Sequence, residues 1–225
     1  MDFQKASSML RTKGWLAQTP KTFQKEVLSL CTLQFYAQGE VILRNGTEGD
    51  AIVGLVSGSL ACRLPPRSEC SSLIHLFPPG AWTGELAFFA GGVRRVDTVA
   101  HADSYCLRLT KTSMNKILDK NPGYWRWCNI LTVMSCDVAL HALEAVTALD
   151  GKSRVAKTLV RLVAINEQSC LLKTSQADIG AMCGLSRKAA HEVLKHFEQQ
   201  GVLRRGHRNI EVLCHTKLLA IALGL

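Results

Sequence analysis

From Tyr124 to Asp150 the chain carries neither proline nor glycine, and no other feature constrains the fold as much. A run of that length without a breaker reads as one long helix over Gly123 to Leu149, opened by Asn121-Pro122 and ended by Leu149-Asp150-Gly151-Lys152. Two apolar stripes follow it, one through Trp127, Leu131, Met134 and Val138, the other through Val133, Cys136, Leu140 and Leu143. A helix with two apolar faces needs two partners. One stripe would pack on its own chain and the other on the same helix of a second copy, as in a short coiled coil; burial of both faces within one chain is the alternative.

The flanks differ in character. After an expected helix around Lys21 to Cys31, Thr32 to Leu109 reads as short strands at Glu40 to Leu43, Ala51 to Val56, Ser59 to Leu64, Leu73 to Phe77 and Ser104 to Leu109. Turns are expected at Asn45-Gly46, Gly49-Asp50, Ser57-Gly58 and Pro78-Pro79-Gly80. That spacing fits a small barrel or jelly roll. At 225 residues the chain has room for two small domains against a prior of ~150 each, and the boundary is placed at Asp150-Gly151, where the charge balance also shifts. The first 150 residues hold 15 basic and 13 acidic side chains, whereas Gly151 to Leu225 holds 12 basic and 5 acidic. A concentrated basic third suits a polyanion, because Lys and Arg release counterions when they neutralise phosphates.

Within that third, Ser175-Gln176-Ala177-Asp178 forms a capping box for a short helix, Cys183-Gly184-Leu185 a turn, and Ser186 a cap for a second helix from Arg187 to about Gln199, stopped by Gly201. Ala190, Val193, Leu194 and Phe197 share one face of it, leaving Arg187, Lys188, His191, Glu192 and Lys195 outward. This is helix-turn-helix spacing: a helix fits the major groove, its first turns reach base edges, and Arg donates two hydrogen bonds to guanine. Val202 to Arg205 and Ile210 to Leu213 flank Gly206-His207-Arg208-Asn209 as a hairpin, a wing that would lie over phosphates.

A second informative stretch, Gly84-Glu85-Leu86-Ala87-Phe88-Phe89, continues to Arg94-Arg95-Val96-Asp97-Thr98-Val99. A helix start, a carboxylate and an arginine converging there would suit a phosphate diester, with Glu85 accepting from a ribose hydroxyl.

Other chemistries find little support. Nine cysteines, at 31, 62, 70, 106, 128, 136, 170, 183 and 214, include no C-x-x-C pair, so a zinc site is not expected and most should be buried apolar residues. Thiol sensing would start from Cys106 or Cys183, and a haem or gas sensor needs only one axial His or Cys. No nucleophile and base are spaced for catalysis, so an enzyme is not expected. No stretch has the ~18 uninterrupted apolar residues of a membrane span, and Met1 to Gly14 has no apolar core before its basic residues; a soluble, cytoplasmic protein is expected.

With these motifs in view, the chain resembles the family of the cyclic-AMP receptor protein and the fumarate–nitrate regulator. The resemblance spans roughly Phe35 to Leu213 and rests on Val56-Ser57-Gly58-Ser59-Leu60, Gly84-Glu85-Leu86-Ala87, Arg95 four residues before Val99, Asn121-Pro122, and Ile179 through Phe197. It implies an α+β chain: a cyclic-nucleotide-binding-like β-roll (1–120), a long dimerisation helix and hinge (121–150), and a winged helix-turn-helix (151–225). It also implies a bacterial-type transcription regulator, a homodimer on a palindromic double-stranded DNA site, with an effector such as cyclic AMP or cyclic GMP and RNA polymerase as a further partner. Gly84, Glu85, Leu86, Arg95, Val96 and Thr98 become the candidate effector contacts. Ser175, Gln176, Ser186, Arg187, Lys188, His191, Glu192, Lys195 and Arg208 become the candidate DNA contacts, and Val133, Cys136, Leu140 and Leu143 the dimer stripe.

Departures bear on ligand and operator. Val96 and Asp97 follow the phosphate arginine, the helix positions whose hydroxyls meet adenine in the receptor protein fall on Ala139 and Leu140, and Lys188 replaces the acidic residue that reads cytosine. The amino-terminal cysteines that hold an iron–sulfur cluster in the fumarate–nitrate regulator are missing, the first cysteine being Cys31. DNA binding without an effector is therefore one expectation, and a ligand-sensing module that docks on protein is the competing one.

Overall fold

The computed structural model describes residues 1–65, 73–148, 150–166 and 170–224, so Cys70 and Leu149 lie outside the described residues. The chain divides into two compact units, Met1–Pro65 with Leu76–Asp137, and Pro66–His75 with Val138–Leu225.

The first unit opens with three helices, α1 (Phe3–Thr12), α2 (Gly14–Ala17) and α3 (Lys21–Ser29). Only the last was expected from the sequence. Asp2 caps α1 by accepting from the Lys5 amide at 2.8 Å. Their apolar faces hold Leu10, Trp15, Leu16, Phe23 and Val27, all fully buried, and join Ile52, Trp82, Phe88, Leu107, Leu109, Met114, Cys128 and Leu131 in one core. Trp15 stands edge-on to Phe23 and Trp82, with ring centroids 5.7 and 5.4 Å away, and its indole N–H donates to the Trp127 carbonyl at 2.6 Å.

The roll has strands β1 (Thr32–Tyr36), β2 (Val41–Leu43), β3 (Ala51–Arg63), β4 (Leu73–Phe77), β5 (Trp82–Thr83) and β6 (Asp97–Thr110). Their order is β1-β6-β3-β4, with β2 on β6 and β5 on β3. β1 falls at the start of the expected β-rich stretch but was not among the runs named. The long antiparallel pair β3/β6 runs from Ala51 opposite Thr110 to Arg63 opposite Asp97. One side of it faces the helix-covered core; the other closes over Leu43, Val53, Leu55, Leu60, Ala100 and Cys106. Ser57-Gly58, expected as a turn between two strands, is instead a bulge inside β3, where the register shifts on both sides of Ser57. Gly58 has φ +98, and a Cβ there would sit 2.3 Å from Ser104 Oγ.

Beyond α4 (Glu85–Ala90) and α5 (Lys111–Lys120), a 3-10 turn at Pro122–Tyr124 leads into α6 (Trp125–Thr147). Cys128 and Leu131 anchor α6 in the core at 1% and 2% exposure, with Trp127 and Met134 packed beside them. The opposite stripe stays in solvent: Val133 is 58% exposed, and Leu140 and Leu143 57% each. Pro122–Thr147 is long and apolar enough to cross a membrane by length and composition, but its Cys128–Leu131 face is committed to the core.

The second unit contains α7 (Gly151–Ile165), β7 (Leu171–Leu172), α8 (Gln176–Met182), α9 (Arg187–Gln199), β8 (Leu203–Gly206), β9 (Asn209–Val212) and α10 (His215–Leu223), with sheet order β7-β9-β8. Asp150 caps α7 through the Ser153 amide at 2.9 Å. The division between the units falls inside β4, which leaves His75 in this one; it is 1% exposed, with its Nδ1 2.8 Å from Arg161 Nη1. Burial, then the Arg161 charge, pushes the imidazole down to about 3.

Candidate nucleic-acid interface and effector site

The α8–turn–α9 segment is fixed by local hydrogen bonds. Ser175 Oγ accepts from the Asp178 amide at 3.1 Å while the Asp178 carboxylate accepts from the Ser175 amide at 3.0 Å, the reciprocal pair expected from the sequence. Gly184 turns the chain at φ +64, and Ser186 Oγ caps α9 by accepting from the Ala189 amide at 3.2 Å. At Gly180 a Cβ would meet the Ala190 methyl at 3.0 Å, so the missing side chain sets how closely the two helices cross. Ile179, Cys183, Ala190, Leu194 and Phe197 are buried beneath.

What remains outward on α9 is Arg187, Lys188, His191, Glu192 and Lys195, all exposed. His191 Nδ1 lies 2.9 Å from Gln176 Oε1 on α8, which holds the ring against the first helix. The wing is tied to the end of α9: Glu198 accepts from Arg205 Nε at 2.8 Å, Nη2 at 2.6 Å and the backbone N–H at 2.8 Å. Hydrogen bonds from Arg205 hold the Glu198 carboxyl below its usual range. At the wing tip Arg208 has φ +54, a left-handed conformation uncommon outside glycine and asparagine, and it holds a guanidinium where the hairpin reverses. The candidate DNA contacts thus lie on α8, α9 and the wing of one unit.

The Gly84–Thr98 region is divided. Gly84 has φ +98, and a Cβ there would collide with Leu43 Cδ1 at 2.6 Å. Glu85 follows inside, 3% exposed, its pKa raised by burial and opposed by a hydrogen bond from the Ser135 hydroxyl of α6. Thr98 is also buried, at 2%, opposite Cys62 in the β3/β6 ladder. The arginine that reaches inward is Arg94, not Arg95. Arg94 is 5% exposed and donates to the Gly84 carbonyl at 3.3 Å, Asp50 Oδ1 at 2.7 Å and the Ala51 carbonyl at 2.8 Å. Arg95 and Leu86 are exposed and Val96 is half-buried; Asp97 accepts from the Asn45 amide at 2.7 Å.

For a cyclic nucleotide, Glu85 offers an acceptor to a sugar hydroxyl and Arg95 an exposed cation. The carboxylate is itself buried, and the inward guanidinium is used up by Arg94's own partners. The residues fit the ligand in part. Sequence reasoning missed Arg94 and Ser135, because what each touches depends on segments far apart in the chain.

Burial decides the thiols: Cys31, Cys62, Cys106 and Cys128 are pushed up to about 12 and Cys183 to about 11. Burial thus disfavours the thiolate at Cys106 and Cys183. Among the described residues no group of three His, Cys, Asp or Glu could hold a metal ion.

Comparison with known proteins matches the two halves separately. Residues 33–121 fit the cyclic nucleotide-binding domain and residues 153–221 the Crp-like helix-turn-helix domain. The cyclic AMP receptor protein of Thermus thermophilus is 25% identical over 198 residues, covering 88% of this chain and 91% of the relative. The cAMP-activated global transcriptional regulator CRP of Escherichia coli is 21% identical, covering 82% and 91%. In fold, FixK2 from Bradyrhizobium japonicum matches with a TM-score of 0.77 at 19% identity, over 85% of this chain and 96% of that one. The c-di-GMP responsive regulator CLP of Xanthomonas campestris matches at 0.68 and 18%, over 86% and 99%.

Proposed function

We propose, from the premise that the chain belongs to the CRP/FNR family of DNA-binding transcription regulators, that it is a homodimer that reads a two-fold symmetric double-stranded DNA site with α9 and works in the cytoplasm. The observation that carries this is the face of α9: Ala190, Leu194 and Phe197 are buried while Arg187, Lys188, His191, Glu192 and Lys195 stand outward at the start of a capped helix. Residues 1–120 act as the sensor roll, 121–150 as the dimer helix and hinge, and 151–225 as the reader. The exposed Val133–Leu143 stripe is covered by the same stripe of a second copy.

The roll retains Glu85 and Arg95 for a cyclic nucleotide, but the commitment of the inward Arg94 to Gly84, Asp50 and Ala51 supports DNA binding that does not wait for one. Fluorescence anisotropy on promoter duplexes between 50 and 200 mM salt tests the DNA reading. Affinity should fall by ~10³ or more if many phosphates are contacted. Arg187→Ala should cost about 1–3 kcal/mol on the cognate site and much less on a scrambled one. Salt-independent binding, or equal loss on both duplexes, would favour a domain that docks on protein.

A further inference from the structure

The reading face of α9 contains one residue that an anionic ligand should exclude. Gly151 to Gly224 holds four described acidic side chains: Asp178, Glu192, Glu198 and Glu211. Three are taken. Asp178 closes the α8 capping box, Glu198 is held by Arg205, and Glu211 pairs with Arg204 at 3.3 Å. Glu192 is exposed and has no ion-pair partner among the described residues, although Lys188 and Lys195 lie one turn to either side of it. A solvated carboxylate in the middle of a surface built for phosphates weakens every non-specific encounter, so it belongs there only if it finds a donor. In the major groove the donors are the amino groups of cytosine and adenine. The adenine amino group sits beside the N7 acceptor, which repels a carboxylate, whereas cytosine presents its N4 amino group alone.

We propose that Glu192 reads cytosine. Taking the DNA-binding reading above as its basis, this assigns the operator an order of contacts: a guanine met by Arg187, an acceptor base met by Lys188, and a cytosine met by Glu192. One helical turn separates Lys188 from Glu192, ~6 Å of rise, or about two base pairs at ~3.4 Å each. The carboxylate thus acts by discrimination: it lowers affinity for DNA in general and restores it where a cytosine stands.

The test uses the full chain and a pool of randomised duplexes, followed by anisotropy on single-base variants of the selected site. The wild type should require a C·G pair about two base pairs from the position whose preference Lys188→Ala relaxes, with about tenfold discrimination. Glu192→Gln, which both donates and accepts, should move that position toward adenine and tighten binding to a scrambled duplex several-fold. Glu192→Ala should lose the cytosine preference and gain no other. Both variants replace an exposed helix residue with a good helix former, and circular dichroism checks their fold. An unchanged base profile in both variants, or a uniform loss at every position, overturns the assignment. A wild type that selects no motif and binds without salt dependence overturns the DNA reading along with it.

Discussion

Arg94 and Arg95 are neighbours with opposite roles. Arg94 is spent on Asp50, Ala51 and Gly84 and braces the start of α4, while Arg95 faces solvent. The sequence marks the pair but does not say which one turns inward, because Asp50 lies 44 residues away. Ser135 was hidden for a similar reason: a single serine in an apolar helix carries no signal until α6 is laid against Glu85. Arg95→Ala should lower affinity for cyclic AMP or cyclic GMP about fivefold to tenfold, a loss on the order of 1 kcal/mol. Calorimetric titration of wild type and Arg95→Ala measures it, and no heat from either would remove the nucleotide from the roll.

At the scale of elements, α6, α8, α9 and the wing were legible because each is specified by adjacent residues: caps at Ser175 and Ser186, a stop at Gly201, a continuous run after Pro122. The strands were less so. Gly58 reads as a turn, yet the β3/β6 pairing around it continues on both sides, so long-range pairing outweighs the local signal. α1 was missed because six of its ten residues are polar and α2 because it is only four residues long, and Trp15 owes its place to Phe23, Trp82 and the Trp127 carbonyl. The unmatched face of α6 carries its own prediction. Leu140→Glu places a charge in the stripe formed with Val133, Cys136 and Leu143, and sedimentation should show a monomer at micromolar concentration with weakened DNA binding. A dimer unchanged by that substitution would place the subunit contact elsewhere.

For the whole molecule, the uneven charge was legible from composition, whereas the pH response was not, since His75 and Arg161 lie 86 residues apart. The folded imidazole, pushed down to about 3 against ~6.5 unfolded, contributes stability that is fully present above pH ~6.5 and is lost as pH falls toward the folded value. About 2 kcal/mol should be gone by pH 5. Urea denaturation at pH 7 and pH 5 should show that loss, and His75→Gln, which keeps an acceptor for Arg161 and does not titrate, should reduce it; equal losses would assign the acid response to other groups. All four tryptophans, Trp15, Trp82, Trp125 and Trp127, and all three tyrosines, Tyr36, Tyr105 and Tyr124, fall in the first unit. The unit that carries α9 is therefore dark to ultraviolet fluorescence. Melting followed by tryptophan emission reports the roll and the start of α6, and any change of that emission on adding DNA registers an event that has travelled out of the reading helix.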